Sequence, residues 1–97
     1  MAYDPGAIDA TLAAAVGDEP VLIAELRDAF LDSVRRGLDG LEAAHSIDAW
    51  QIAALRLKGL AASFGAVRLM AIAGEAAGAV VQDVVVLRKL RRAVERL

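Results

Sequence analysis

Ninety-seven residues leave room for one domain (1–97) built around one core. The composition is 58% hydrophobic, much of it alanine, and only 4% aromatic, which favours closely packed helices over strands. A net charge of −2 makes no overall case for nucleic acid, and the lack of cysteine excludes disulfides and thiol chemistry.

In chain order, residues 1–6 form a lead-in in which Pro5-Gly6 signals a turn. Ile8 to Val16 suits a short helix ended by Gly17, since glycine tolerates the left-handed backbone. Asp18-Glu19-Pro20 reads as a helix start: a side-chain oxygen can cap free amides, and proline fits the first turn. Ile23, Leu26, Phe30, Val34, Leu38 and Leu41 then recur every three or four residues, one apolar stripe on a long helix running to about Ala44. Gly37 and Gly40 weaken that helix by about 1 kcal/mol each, so the close approach of a neighbouring helix is expected there.

Asp48 as N-cap places Gln51 at the third helical position, a capping-box pattern, with Ile47 and Ile52 as its hydrophobic staple. This third helix is expected from Ala49 to about Phe64, with Gly65 ending it. A fourth follows from Ala66 to Ala77, with Val67, Met70, Ala71 and Gly74 facing inward. Gly78 breaks the chain before the last helix. Val80, Val81 and Val84 to Val86 have strand propensity, but Val84, Leu87, Leu90, Val94 and Leu97 keep helical spacing to the end. Four main helices with short connections imply an all-α, antiparallel up-down four-helix bundle with a short additional N-terminal helix. No apolar run approaches the roughly 20 residues of a membrane span, and no leader pattern opens the chain, so a cytoplasmic protein is expected.

A wheel of the third helix divides it sharply. Trp50, Ala53, Ala54, Leu57, Leu60, Ala61 and Phe64 share one side, expected to pack into the bundle. Leu55, Gly59 and Ala62 fall opposite, with Ile52 beside them and Lys58 on a flank. An outward Leu55 with Ile52, Gly59 and Ala62 makes an apolar patch with a basic rim of Arg56 and Lys58, suited to binding a partner. The blander alternatives are a Leu55 covered by the N-terminal segment or a second subunit, and a Lys58 that is only a solvated charge.

The run Ala54-Leu55-Arg56-Leu57-Lys58-Gly59, with the exit Ser63-Phe64-Gly65-Ala66, resembles the signature of histidine-containing phosphotransfer (HPt) domains. In that family His-x-(apolar)-Lys-Gly is followed by small residues and Ser-x-Gly. The resemblance implies the same helical plan over nearly the whole chain, and it puts Leu55 at the position of the phosphoryl-accepting histidine. A leucine has no nucleophilic nitrogen, so the family's reaction cannot occur there. By the same resemblance Lys58 offers a cation to phosphoryl oxygens and Gly59 lets a receiver domain approach. The expected protein is therefore a non-enzymatic, cofactor-free member of two-component phosphorelay signalling. It would bind the receiver domain of a response regulator or hybrid kinase through Ile52, Leu55, Arg56, Lys58, Gly59 and Ala62, as a monomer rather than a homodimer. No nucleic acid or membrane partner is expected.

Two alternatives stand beside it. One is a bundle that serves as a dimerisation or adaptor module, and the other a bundle that transfers phosphate through His45, the only histidine, near the end of the second helix. His45 reads more simply as a helix-terminal or turn residue, and a lone histidine without cysteine gives no metal cluster. Asp28, Asp32 and Asp39 among Arg27, Arg35 and Arg36 read as a solvated charged face, and Glu75 as structural. Arg88, Lys89, Arg91, Arg92 and Arg96 make the last helix basic. That suits a helix C-terminus or, more sharply, an acidic partner or membrane surface.

Overall fold

Five helices make up the regular structure of a computed structural model that describes residues 5–17 and 19–97. They are α1 (Pro5–Val16), α2 (Pro20–Glu42), α3 (Ile47–Ser63), α4 (Val67–Ala77) and α5 (Val84–Glu95), and no strand occurs among the described residues.

Each boundary has a local cause. Pro5 and Gly6, expected in a turn, instead open α1, where a missing N–H costs no helical bond. Gly17 ends α1 with φ +82°, its N–H donating to Ala13 O at 2.8 Å. Asp18, the expected cap of α2, lies outside the described residues. Glu19 holds the N-cap position without a side-chain bond, and Pro20 starts the helix. At the other end α2 stops at Glu42, two residues earlier than expected.

The start of α3 corrects the sequence reading. Ser46 is the N-cap, its Oγ accepting from Ala49 N at 3.1 Å. Asp48 therefore sits in the first turn, where its charge complements the helix dipole, and the box with Gln51 does not form. Ile47 and Ile52 are both exposed, and with Ser46 as the cap Ile47 is the first helical residue rather than the residue before the cap. Ser46→Ala should accordingly cost about 1 kcal/mol of stability, and Asp48→Ala no more than a few tenths to about 1. Thermal melts of the two variants check this; a larger loss for Asp48→Ala would restore the original assignment. Helix α3 closes with the paired bonds of a glycine-type C-cap: Ala66 N donates to Ala61 O, and Gly65 N to Ala62 O, with Gly65 at φ +71°.

Helix α4 is phased differently from expectation. Leu69, Ile72, Ala73 and Ala76 are buried, whereas Val67 and Ala71 are exposed and Met70 and Gly74 only half-buried. Alanine and glycine occupy both sides of this short helix, so its pattern barely distinguishes them. Asp83 caps α5, accepting from Val85 N at 2.9 Å and Val86 N at 3.1 Å. Val86, Leu87, Leu90 and Ala93 face the core, while Val84, expected inward, is exposed at the helix start.

Helices α2, α3, α4 and α5 pack as a ring, each against the next and α5 back onto α2, while α1 packs on α2. The connections 43–46, 64–66 and 78–83 are short, so neighbours run antiparallel. The shared core holds Ile8, Phe30, Val34, Leu41, Trp50, Leu57, Leu69 and Leu90, and no charged or polar residue is buried among the described residues. Phe30 and Phe64 meet with ring centroids 4.4 Å apart. Buried Ala54, Ala61, Ala73 and Ala76 let α3 and α4 come close, and Trp50 Nε1 donates to Ala76 O at 2.6 Å between them. Of the two α2 glycines only Gly37 meets a neighbour: a Cβ there would lie 3.3 Å from Leu57 Cδ1, whereas one at Gly40 would meet nothing within 4 Å.

Candidate partner-binding surface

The division of α3 into two faces holds residue by residue. Trp50, Ala54, Leu57 and Ala61 are buried, with Ala53, Leu60 and Phe64 packed at their margins. The opposite side is open: Ile52 is 53% and Leu55 55% exposed, and Arg56, Lys58, Gly59 and Ala62 are exposed with them. Neither α1 nor any other described segment covers Leu55. The wheel succeeds because large residues mark one side of a 17-residue helix.

The stripe from Ile52 to Ala62 is about 15 Å long at the helical rise of 1.5 Å per residue. Gly59 lies at its middle, and a Cβ built there would meet nothing within 4 Å. Packing within the chain therefore does not require glycine at 59. The next turn carries Ser63, whose Oγ donates to Gly59 O at 2.9 Å. Arg56 flanks the stripe on one side and Lys58 on the other.

Lys58 is placed in a way the sequence does not disclose. Its stem crosses to α4, with Cδ and Cε 3.8 Å and Nζ 3.9 Å from where a Cβ of Gly74 would be. A Cβ at 74 would make only ordinary contact with the lysine, and no carboxylate lies within ion-pair distance of its ammonium among the described residues. No sequence signal links residues 58 and 74, because their meeting depends on how α3 crosses α4. The surface combines a solvent-facing aliphatic stripe, a bare backbone position and two cations at its edges. It offers apolar contact and attraction for an anionic partner, and no nucleophile at position 55.

The remaining candidates fall elsewhere. His45 is exposed in the α2–α3 connection, outside the α3 stripe. Asp32 pairs with Arg36 at 2.6 Å on the exposed face of α2, as expected for a solvated face. Arg27 departs from that expectation: half-buried, it bonds Asp9 of α1 at 3.1 Å and Leu97 O at 2.8 Å, tying three segments together. Glu75 pairs with Lys89 at 3.4 Å, and Glu42 with Arg91 at 3.0 Å. The Glu42 hydrogen bond, then its charge, raises the Arg91 pKa. Among the described residues no group of three or more His, Cys, Asp or Glu is disposed to hold a metal, and no helix is long and apolar enough to cross a membrane. No protein-family model, curated protein or solved structure matches the chain.

Proposed function

We propose that the chain is an HPt-like, cytoplasmic phosphorelay component that docks the receiver domain of a response regulator or hybrid kinase on the outer face of α3 without accepting phosphate. One observation carries the reading: Leu55, at the acceptor-equivalent position, points to solvent beside an unobstructed Gly59. The ring of α2 to α5 with a short preceding helix is the architecture such a domain needs. Lys58 and Arg56 give the stripe a cationic margin suited to the aspartate-bearing face of a receiver, which the resemblance implies as partner. Leu55 and Ile52 supply apolar contact where a histidine would have supplied chemistry. The protein would act by occupancy, sequestering a receiver or blocking its access to a kinase.

Gly59 provides the test. Gly59→Ala should raise stability by about 0.5–1 kcal/mol, because it restores helix propensity and meets no atom. Gly59→Gln should fold equally well yet lose receiver binding at least about tenfold, since an interface atom layer cannot absorb a new side chain. Calorimetric titration against a panel of receiver domains reads this directly. Binding that is indifferent to Gly59→Gln, or a panel that binds no better than an unrelated acidic protein, contradicts the proposal.

A further inference from the structure

Charge is segregated along this chain in a way that receiver docking on α3 does not use. Residues 1–55 carry ten carboxylates against three cationic side chains, and residues 56–97 carry eight cations against three carboxylates. The fold turns that imbalance into two adjacent helical crests. On α5, the flanking Lys89 and Arg91 are neutralised by Glu75 of α4 and Glu42 of α2. Arg88, Arg92 and Arg96, one turn apart on the exposed side between them, have no carboxylate within ion-pair distance among the described residues. The helix dipole accounts for cations in the last turn, but not for Arg88 in the second.

On α2, Gly37 faces Leu57 of α3 and Glu42 reaches Arg91 of α5. At 3.6 residues per turn, Glu25, Asp28, Asp32 and Asp39 then project outward on the side next to α5. All four are exposed. Arg35 and Arg36 on α2, the latter already paired with Asp32 at 2.6 Å, and Glu95 on α5 oppose these signs, leaving four carboxylates to two arginines on one crest and three arginines to one carboxylate on the other.

The geometry points to a second copy of this chain as the occupant of the α2/α5 face, related by a two-fold axis parallel to the helices. Two two-folds bring that face onto its copy. An axis perpendicular to the helices lays α5 on α5, arginine against arginine. The parallel axis sets α5 against the α2 of the other copy and keeps every residue at its height. Those heights are fixed within the chain: Arg27 bonds Leu97 O, and Gln82 bonds the last carbonyls of α2. With Glu42 of α2 also bonded to Arg91, α5 runs antiparallel beside α2, and the Arg88–Arg96 crest of one copy faces the Asp28–Asp39 crest of the other. Each pairing occurs twice in the dimer, and closure by the two-fold prevents filaments. The α5 helix of 12 residues spans only about 18 Å, so the face falls short of the roughly 800 Å² per partner typical of stable complexes. Association is thus reversible and salt-sensitive. Because α5 lies diagonally across the ring from α3, the dimer leaves the Leu55 surface free. This proposal departs from the monomer expected from sequence.

Sedimentation velocity of the whole chain at about 50 mM and about 500 mM salt tests the proposal, since exposed charge pairs are screened within about 14 Å and 4 Å respectively. A dimer at low salt whose association weakens at least about tenfold at high salt is expected. An Arg88→Glu/Arg92→Glu/Arg96→Glu variant and an Asp28→Lys/Asp32→Lys variant should each be monomeric, yet form a one-to-one heterodimer when mixed. That restoration requires both variants to be folded. A monomer at both salts, a dimer indifferent to salt, a failure of the mixture to pair, or a dimer abolished by Leu55→Asp would each overturn it.

Discussion

Trp50→Ala is expected to be the most damaging single substitution in this protein, costing about 3–5 kcal/mol. Trp50 is fully buried at the head of α3, and it is the only tryptophan in a core that is otherwise aliphatic apart from phenylalanine. Its removal leaves a large cavity beside alanines too small to fill it. Its Nε1 also donates to Ala76 O at 2.6 Å, fastening α3 to the last turn of α4. A 97-residue domain is stable by about 5–15 kcal/mol, so the loss would take much of the margin. Trp50→Phe separates the two contributions. It keeps most of the volume and loses the hydrogen bond, while Ala76 O retains Ala79 N as a donor at 3.1 Å, so about 1–2 kcal/mol is expected. Urea unfolding followed by far-ultraviolet circular dichroism checks both, since the variants lack the tryptophan signal. Equal costs for Phe and Ala would mean that the hydrogen bond, not the packing, dominates.

The second large effect is expected at Gln82, in the connection between α4 and α5. Its backbone has φ +63°, the only positive φ outside glycine among the described residues. From there Nε2 reaches three carbonyls at the end of α2: Ala44 O at 2.6 Å, Glu42 O at 3.0 Å and, weakly, Leu41 O at 3.5 Å. Leu41 O also accepts from Ala44 N at 3.1 Å, so the two amide hydrogens chiefly serve Ala44 O and Glu42 O, from a segment 38 to 40 residues away. Gln82→Ala should cost about 2–3 kcal/mol, because it strips these bonds and keeps the left-handed backbone, itself unfavourable by about 1–2 kcal/mol for a residue with a Cβ. Gln82→Gly loses the same bonds but relieves that backbone strain, and should be about 1 kcal/mol less harmful. Denaturation midpoints of the pair measure the difference. If glycine were the worse substitution, the backbone strain would not be real.

How far the sequence discloses this molecule depends on how strongly each segment distinguishes its two sides. The long stripe from Ile23 to Leu41 and the division of α3 by Trp50, Leu57 and Phe64 against Leu55 and Gly59 are legible because bulky residues stand on one side only. Helix α4 is not, because Ala71, Ala73, Ala76 and Gly74 look alike to any periodicity. At α3, two oxygen-bearing side chains two residues apart, Ser46 and Asp48, offer the same cap chemistry, and only the geometry of the connection decides for Ser46. Gln82 and the Lys58–Gly74 contact are illegible for a deeper reason. Both join segments distant in the chain, and nothing local in either partner marks the meeting.

For the surface itself, exposure of Leu55 was legible and its use was not, since an apolar stripe rimmed by cations specifies a kind of contact rather than a reaction. The most direct measurement is phosphoryl transfer from a panel of phosphorylated receiver domains to the native chain and to Leu55→His, run side by side. Transfer to Leu55→His alone is expected, because docking would be intact and only the nucleophile absent. Transfer to the native chain, lost in His45→Ala, would contradict a non-accepting binder and move the chemistry to the α2–α3 connection. Failure of both proteins to accept phosphate from receivers that phosphorylate HPt domains would remove the docking surface from α3.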